Sequence, residues 1–171
     1  MQTQIPEICV RKAKDEDAPG ILKCLREAFE EFRSRYTPQG FLDTVLTAET
    51  LRVRRETMNV FVAVNSANEV LGTIACGVVS PEEGHLRGMA VLPSIRGNGV
   101  AAQLLRQAEQ EMLSRGCARV TLDTTAVTKL NRWLNWQVSF NDRYLSHPLP
   151  GVKKNDTLLT TGFHVTFGSA R

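Results

Sequence analysis

Apolar residues recur first with helical spacing and then with strand-like alternation along the first 80 residues. After a short alternating stretch at 8–13, a helix is predicted, because Ile21, Leu25 and Ala28 fall on one face together with Phe32. Three acidic residues at 15–17 precede it and are candidate N-cap residues. A break at 37–40 separates this helix from a second one predicted over about 41–56.

The middle of the chain predicts three strands, at 59–64, 70–79 and 85–92. The turns between them, at 65–68 and 80–84, are short, and short connections favour antiparallel hairpins. The strand at 70–79 is apolar on both faces, which predicts a central position in the sheet.

A third helix is predicted from about residue 100 to 115, with Gly116 as its C-terminal stop. Its buried face is predicted to consist of Val100, Leu104, Ala108 and Met112. A strand at 120–123 follows, and a strand–helix–strand connection places the two strands parallel. The sequence therefore predicts an α+β fold in three layers: a mixed, mostly antiparallel central sheet with one parallel strand pair and helices on both faces.

The last third of the chain is atypical. A short helix is predicted at 126–134, a strand at 136–140, and a final strand at 157–167 that is interrupted at Gly162. There is no internal repeat and no interdomain linker, so residues 1–171 are predicted to form a single domain whose part 126–171 is atypical.

Composition narrows the class of protein. The 171 residues carry a net charge of +3 without any dense run of Lys and Arg, which argues against a nucleic-acid partner. Four cysteines lie far apart without metal-ligand spacing, so buried free thiols in a reducing compartment are expected, and no metal: Cys9, Cys24, Cys76 and Cys117. No signal-peptide pattern and no apolar run near the ~20 residues of a membrane span are present, which predicts a cytoplasmic protein without a membrane partner.

The strongest motif lies at 96–101, where Arg-Gly-Asn-Gly-Val-Ala joins a strand end to the third helix. The first N–H groups of a helix lack intrahelical partners, and the helix dipole adds positive potential there. Gly97 and Gly99 would let a phosphate approach the backbone, and Arg96 would add a charged donor. No acidic residue occurs between Met89 and Gln107. This pattern is typical of an anion cradle, although the glycines would also suit a tight turn alone.

Two phosphate-binding families compete for the motif. Gly97-x-Gly99-x-x-Ala102 matches the dinucleotide-binding fingerprint, and Asp123 ends the next strand. In that fold, however, the glycine turn follows its strand directly and starts a parallel unit, whereas five residues intervene here after an antiparallel meander. The P-loop pattern fails, because no Lys-Ser/Thr follows the glycines.

The segment Arg96-Gly97-Asn98-Gly99-Val100-Ala101 resembles the Arg/Gln-x-x-Gly-x-Gly/Ala signature of the Gcn5-related N-acetyltransferase (GNAT) superfamily. The wider stretch 86–105 looks like the acetyl-CoA segment of that family, and the order of elements over 8–123 agrees with it. The resemblance implies the acyl-CoA N-acyltransferase fold. In that fold a bulge splays the strand at 85–92 from the parallel strand at 120–123, and the thioester lies in the gap.

By this resemblance, the co-substrate is acetyl-CoA. Backbone amides from Arg96 to Ala101 would bind its pyrophosphate, and the strand backbone at Met89 to Val91 would bind the pantetheine arm. An N–H near Met89 or Ala90 would polarise the thioester carbonyl. The implied cofactor-binding residues are Met89, Ala90, Val91, Arg96, Gly97, Asn98, Gly99, Val100, Ala101 and Asn131.

The resemblance also implies a base near the start of the strand at 85–92. His85 occupies such a place, with Glu83 and Glu82 in the turn before it, although all three also suit a solvated surface. The family's usual acid is a tyrosine in a Tyr-x-x-x-Gly-Phe pattern, and this sequence departs from it. Alignment of residues 133–140 with the pattern places Asn135 at the tyrosine position, and alignment of Gly162-Phe163 places Leu158 there. Neither residue supplies an acid.

The acceptor site implied by the family lies over the cofactor, near residues 29–41, where Glu30, Glu31 and Asp43 would attract a cationic amine. The leading hypothesis is therefore an N-acetyltransferase acting on a primary amine of a small molecule or protein, by direct attack in a ternary complex. The alternatives are an inert CoA-binding module of the same fold and a nicotinamide or flavin dinucleotide enzyme. A homodimer is compatible with the sequence.

Overall fold

A computed structural model of the protein describes residues 8–36, 38–129, 134–144 and 155–165, with side chains through Leu122. Four helices are present in this part of the chain: α1 Ala18–Glu30, α2 Pro38–Thr44, α3 Ala48–Thr57 and α4 Val100–Ser114. Seven strands accompany them: β1 Cys9–Lys12, β2 Asn59–Val64, β3 Val70–Ser80, β4 Glu83–Val91, β5 Arg119–Lys129, β6 Leu134–Tyr144 and β7 Asn155–Val165.

The described strands form one sheet in sequence order, β1 to β7. Every neighbouring pair is antiparallel except β4 and β5, which are parallel because α4 connects them as a crossover. The predicted mixed, mostly antiparallel sheet with one parallel pair is thus confirmed, and β3 lies in its interior between β2 and β4.

Helices cover both faces of the sheet. On one face, α1 and α3 bury Ile21, Leu25 and Leu51 against the inward side chains of β2. On the other face, α4 packs its predicted stripe of Val100, Leu104, Ala108 and Met112 against the other side of the sheet. All four residues of that stripe are almost fully buried, as helical spacing predicts. The three predicted layers are confirmed.

The parallel pair β4–β5 separates after four rungs. Pairing runs from Glu83↔Arg119 to Leu86↔Leu122, after which β4 pairs only with β3 and β5 only with β6. A bulge starts the separation: Thr73 opposes Ala90 but Ala75 opposes Arg87, so β4 has one extra residue there. Gly88, at this bulge, has φ +62°, a conformation that favours glycine. The splayed pair implied by the family resemblance is therefore present.

The predicted helix over 41–56 is two helices. Val45 and Leu46 are buried between them, and α3 starts afresh after Thr47. The Thr47 hydroxyl accepts a hydrogen bond of 3.2 Å from the amide of Thr50, which caps the new helix. Asp17 does not cap α1 with its side chain, because both carboxylate oxygens bind Arg11.

The predicted short helix at 126–134 is wrong. Strand β5 continues through Lys129 and β6 begins at Leu134, with pairs from Val120↔Tyr144 to Lys129↔Asn135. Threonine and valine dominate 120–128, and β-branched residues favour strands. This preference outweighs the helical spacing of the apolar residues at 126–134 on which the prediction was based. The last strand runs without interruption through Gly162, which pairs with Gln137. Asn131 lies outside the described residues.

Two further expectations concern the cysteines and the membrane. Cys24, Cys76 and Cys117 are buried free thiols, as predicted, but Cys9 is exposed at the start of the first strand. The prediction of burial is wrong there, because β1 is an edge strand with one solvated face. None of the helices in the described part of the chain has the length and apolarity needed to span a membrane.

Candidate functional site

The turn that leads into α4 is open. Gly97 and Gly99 have φ of +86° and +75°, so both adopt the left-handed backbone conformation. A Cβ added at either glycine would meet nothing within 4 Å. The glycines therefore allow the left-handed backbone conformation of the turn, and the space above them stays open. They are not needed for close packing against another part of the described chain.

Several amides of this turn have no acceptor among the described residues. The first bond of α4 runs from the amide of Gln103 to the carbonyl of Gly99, at 3.1 Å. The N–H groups of Gly97, Gly99, Val100 and Ala101 make no hydrogen bond to the part of the chain that the structure describes. These donors lie at the positive end of a 15-residue helix, where an anion is favoured.

The other two predicted cradle residues are engaged within the protein. The amides of Arg96 and Asn98 both make long bonds of 3.4 Å inside the turn, to Pro93 and Ile95. The Arg96 guanidinium binds the Glu31 carboxylate and donates to the Ala28 carbonyl at 2.9 Å. Arg96 thus ties the turn to the C-terminal end of α1, where a cation also suits the helix dipole.

The backbone of β4 beyond the bulge has one unpaired edge. Arg87, Ala90 and Val91 pair with β3, and past Leu86 the edge towards β5 has no strand partner among the described residues. Met89 at the bulge is 38% exposed, whereas Ala90 is buried. The amide of Leu92 donates to Leu71 of β3, so alternation along the strand turns the N–H and C=O of Ala90 towards β3 and those of Val91 towards the gap. A ligand that lay between β4 and β5 would therefore find backbone donors and acceptors at Val91 and at the bulged Met89, but not at Ala90.

A polar group lies at the last rungs before the strands diverge. His85 Nδ1 is 3.0 Å from the Thr121 hydroxyl oxygen, directly across the parallel pair. The same hydroxyl oxygen is 3.5 Å from Glu83 Oε1, and the other Glu83 oxygen is 3.7 Å from Arg119. The sequence predicted His85 and Glu83 as neighbours but did not single out Thr121, which orients the imidazole.

Strand pairing shows which face these side chains occupy. His85 opposes Gly77 on β3, and a Cβ on Gly77 would contact Met58, just after α3. Directly opposed residues of an antiparallel pair share a face, so His85 lies on the α3 side of the sheet. Arg87 lies on the same side, because its partner Ala75 packs in the core beneath α1 and α3.

Arg54 of α3 covers the bulge. Its Nη1 lies 2.6 Å from the point that a Cβ on Gly88 would occupy. Burial lowers the pKa of Arg54 from its ordinary value, and the positive charge of Arg87 lowers that pKa further. No sequence pattern distinguishes Arg54 within the charged stretch 52–57, although a glycine inside a strand pattern, such as Gly88, is a recognised signal for a bulge.

A cavity of about 750 Å³ lies at the junction of α1, α2 and α3. Tyr36 stands in its wall and makes edge-to-face contacts with Phe29 and Phe41, at 6.4 and 6.1 Å between ring centroids. The charged side chains that line this cavity are Arg26 and Arg33. The cavity overlaps the predicted acceptor region at 29–41.

The three carboxylates predicted to attract a cationic amine are engaged by other side chains. Glu30 accepts a hydrogen bond of 2.9 Å from Arg33, and Asp43 accepts one of 3.1 Å from Gln39. Glu31 binds Arg96. Within the described residues, no group of three or more His, Cys, Asp or Glu side chains is placed to hold a metal ion.

Two family models match the chain. The model described as Acetyltransferase (GNAT) family matches residues 22–132, well over half of the chain. A second model, Protein of unknown function DUF481, matches residues 105–167 and so overlaps the first. No curated protein matches the chain.

Solved structures share the fold at low sequence identity. A GNAT acetyltransferase from Brucella melitensis in complex with acetyl-CoA has a TM-score of 0.59 and 20% identity, over 88% of this chain and 94% of that one. The PaiA N-acetyltransferase from Thermoplasma acidophilum, in complex with coenzyme A, has a TM-score of 0.60 and 19% identity, over 69% and 79%.

The GNAT N-acetyltransferase YhbS from Escherichia coli, in complex with CoA, has a TM-score of 0.55 and 22% identity, and the match covers 71% of this chain. The chain spans only 65% of the length of that protein. These similarities show the fold.

Proposed function

Because the chain belongs to the GNAT acetyltransferase family, we propose that it transfers the acetyl group of acetyl-CoA to a primary amine. The acceptor is a small molecule or a protein amine, and it attacks directly in a ternary complex. The observation that carries the proposal is the open glycine turn at 97–99, with its unpartnered amides, beside a strand pair that splays at a bulge.

The residues of the turn fit a pyrophosphate. The free N–H groups of Gly97, Gly99, Val100 and Ala101 offer several donors at a helix N-terminus, and the space above the glycines admits a phosphate. The unpaired edge of β4 at Met89 to Val91 suits the amide groups of the pantetheine arm. Acetyl-CoA supplies a thioester as the activated acyl donor.

The chemistry proposed for this chain's own residues is proton transfer and charge stabilisation. His85 takes the proton that the amine loses on attack, and the Thr121 hydroxyl holds the imidazole through Nδ1, at 3.0 Å. Glu83 contacts the same hydroxyl and stabilises the protonated ring. The backbone N–H of Met89, freed at the bulge, donates to the carbonyl oxygen as negative charge develops there.

The proton for the departing thiolate comes from water in this proposal. Tyr36 is packed against Phe29 and Phe41, away from the family's motif position. Tyr144 of β6 pairs through its backbone with Val120 of β5, and the Tyr144 side chain lies outside the described part of the structure. The lack of a motif tyrosine supports a second candidate, an inert CoA-binding module of the same fold.

Calorimetry followed by a turnover assay tests the proposal. Coenzyme A and acetyl-CoA should release heat on binding and raise the free energy of unfolding by about 2.7 kcal/mol at a ligand concentration of 100 times Kd. NAD and FAD serve as controls, since the dinucleotide hypothesis predicts that they, and not CoA, stabilise the protein. Thiol release from acetyl-CoA with a panel of amines separates an enzyme from an inert module. Absence of any CoA binding would refute both the acetyltransferase and the inert CoA-binding module.

A further inference from the structure

Arg54 has no counter-ion among the described residues, and it lies beside the proposed acyl site. Its side chain is half-buried, and it makes no hydrogen bond or ion pair with any residue that the structure describes. By contrast, Arg52 and Arg55 of the same helix are paired, with Glu49 and Glu56 and with Asp15 respectively. Taking a guanidinium partly out of water without a partner costs free energy, so this placement needs a compensating interaction.

Among the described residues, the neighbouring charge that acts on Arg54 is positive. Arg87 is close enough for its charge to act on Arg54, and both lie on the α3 face of β4 at the bulge. In the predicted acceptor region, the charged side chains that line the cavity of the α1–α2–α3 layer are Arg26 and Arg33, while Glu30, Glu31 and Asp43 are held by other side chains. A purely cationic acceptor would meet the positive charges of Arg54 and Arg87 at the bulge, because the Glu83 carboxylate contacts Thr121 and Arg119 at the other end of the strand.

We propose that the acceptor amine also carries an anionic group, a carboxylate or a phosphate, which binds the guanidinium of Arg54 over the Gly88 bulge. This inference rests on the proposed acetyl transfer and specifies its substrate class. A guanidinium presents paired N–H donors that match a carboxylate or phosphate, and the geometry places them beside the gap between β4 and β5. Arg87 adds attraction for the same group.

The same charges favour the reactive form of the substrate. The attacking nitrogen must be neutral, and nearby cations disfavour the protonated ammonium. An anion bound to Arg54 draws the substrate in, while Arg87 next to it disfavours the ammonium form. Positive charge at this site therefore favours the neutral, reactive form of the bound amine. A negatively charged pocket would favour the protonated, unreactive form.

Matched pairs of acceptors test the proposal. Each free L-amino acid is compared with its carboxamide, and O-phosphoethanolamine with ethanolamine, using thiol release from acetyl-CoA. The first pairs test a carboxylate and the last pair a phosphate. The proteins are the wild type, Arg54→Gln, Arg54→Lys and the control Arg52→Gln. The control removes a guanidinium of the same helix, but one that is already paired with two carboxylates. Thermal unfolding verifies that each variant is folded.

The expected result is that at least one anionic acceptor has a kcat/KM about 10- to 100-fold above that of its neutral counterpart, the size of one charged hydrogen-bonding contact. Arg52→Gln keeps this preference. Arg54→Gln loses it through a higher KM for the anionic member alone, and Arg54→Lys restores part of it.

Three results would overturn the inference. In the first, the wild type prefers the neutral members. In the second, Arg54→Gln lowers kcat equally for both members of a pair, which would place the guanidinium on the reacting carbonyl. In the third, no panel member is acetylated although coenzyme A binds, which removes the acceptor class and leaves the cofactor site standing. Failure of coenzyme A to bind is a separate result, which refutes the proposed function itself.

Discussion

Gly99 and Gly116 form a matched pair for testing the anion cradle. They flank the two ends of α4, have φ of +75° and +86°, and leave open space where a Cβ would point. An alanine at either position costs about 1–2 kcal/mol in the left-handed conformation. Reduced freedom of the unfolded chain returns about 0.4–1 kcal/mol. Both substitutions should therefore lower the free energy of unfolding by about 1 kcal/mol.

The two variants should differ in affinity for coenzyme A. At Gly99 the methyl group enters open space next to the free amides of the turn, so we expect it to hold the phosphate away from at least one donor. A hydrogen bond to a charged group contributes about 1.5–3 kcal/mol, so the loss of one weakens binding about 10- to 100-fold. Gly116 lies at the opposite end of the helix, where no phosphate is expected.

Isothermal titration calorimetry with coenzyme A measures this difference, and urea unfolding measures the stabilities. Gly99→Ala should bind at least tenfold more weakly than Gly116→Ala, while both unfold at similar urea concentrations. Gly99→Glu should bind more weakly still, because it adds a negative charge. Equal affinity of the two alanine variants for coenzyme A would refute the assignment of the pyrophosphate to this turn.

Three further predictions concern single side chains. His85→Gln should lower kcat by about 10²-fold or more with unchanged affinity for coenzyme A, and an unaltered pH–rate profile would remove His85 from the mechanism. Asp17→Asn should lower the free energy of unfolding at pH 7 by about 1–3 kcal/mol. Hydrogen bonds from its arginine partner hold the pKa of Asp17 below the usual value. This stabilisation is therefore present above about pH 4 and is lost as the pH falls further; urea melts from pH 3 to 7 should show a flatter dependence in the variant. An aromatic disulfide reagent should label Cys9 rapidly in the native protein and the other three thiols only after unfolding, since burial raises the pKa of Cys24 to about 12; rapid labelling of more than one native thiol would contradict the described packing.

The structural features that could be predicted from the sequence are those that a local residue pattern determines. The buried stripe of α4, the antiparallel meander and the parallel β4–β5 pair all follow from periodicity over 10–15 residues and from the lengths of the connections. The glycine turn was predicted for the same reason, since a Gly-x-Gly segment at a helix start has few structural explanations. These features depend on residues that are neighbours in the chain.

The features that the sequence did not predict depend on contacts between distant segments. Whether 126–129 continues a strand is decided by pairing with β6, because the local pattern suits a short helix as well. The division at 45–47 depends on burial of Val45 and Leu46, the second of which packs in the core with α1. The role of Arg54 depends on its position over Gly88, 34 residues further along the chain, and on where Arg87 falls.

Three departures from regular structure meet at this site: the bulge at Gly88, the divergence of β4 from β5 after Leu86, and the left-handed turn before α4. Each leaves polar groups unpaired that a regular sheet or a capped helix would satisfy, and each such group costs free energy when it is partly removed from water. Arg54 adds an unpaired charge among the described residues. Within the described residues no protein group pairs with these donors and acceptors, so they are open to water or to a ligand. A CoA ester between the strands and an anionic amine on Arg54 would each bind the native state, so occupancy of both sites should stabilise the fold more than occupancy of either alone.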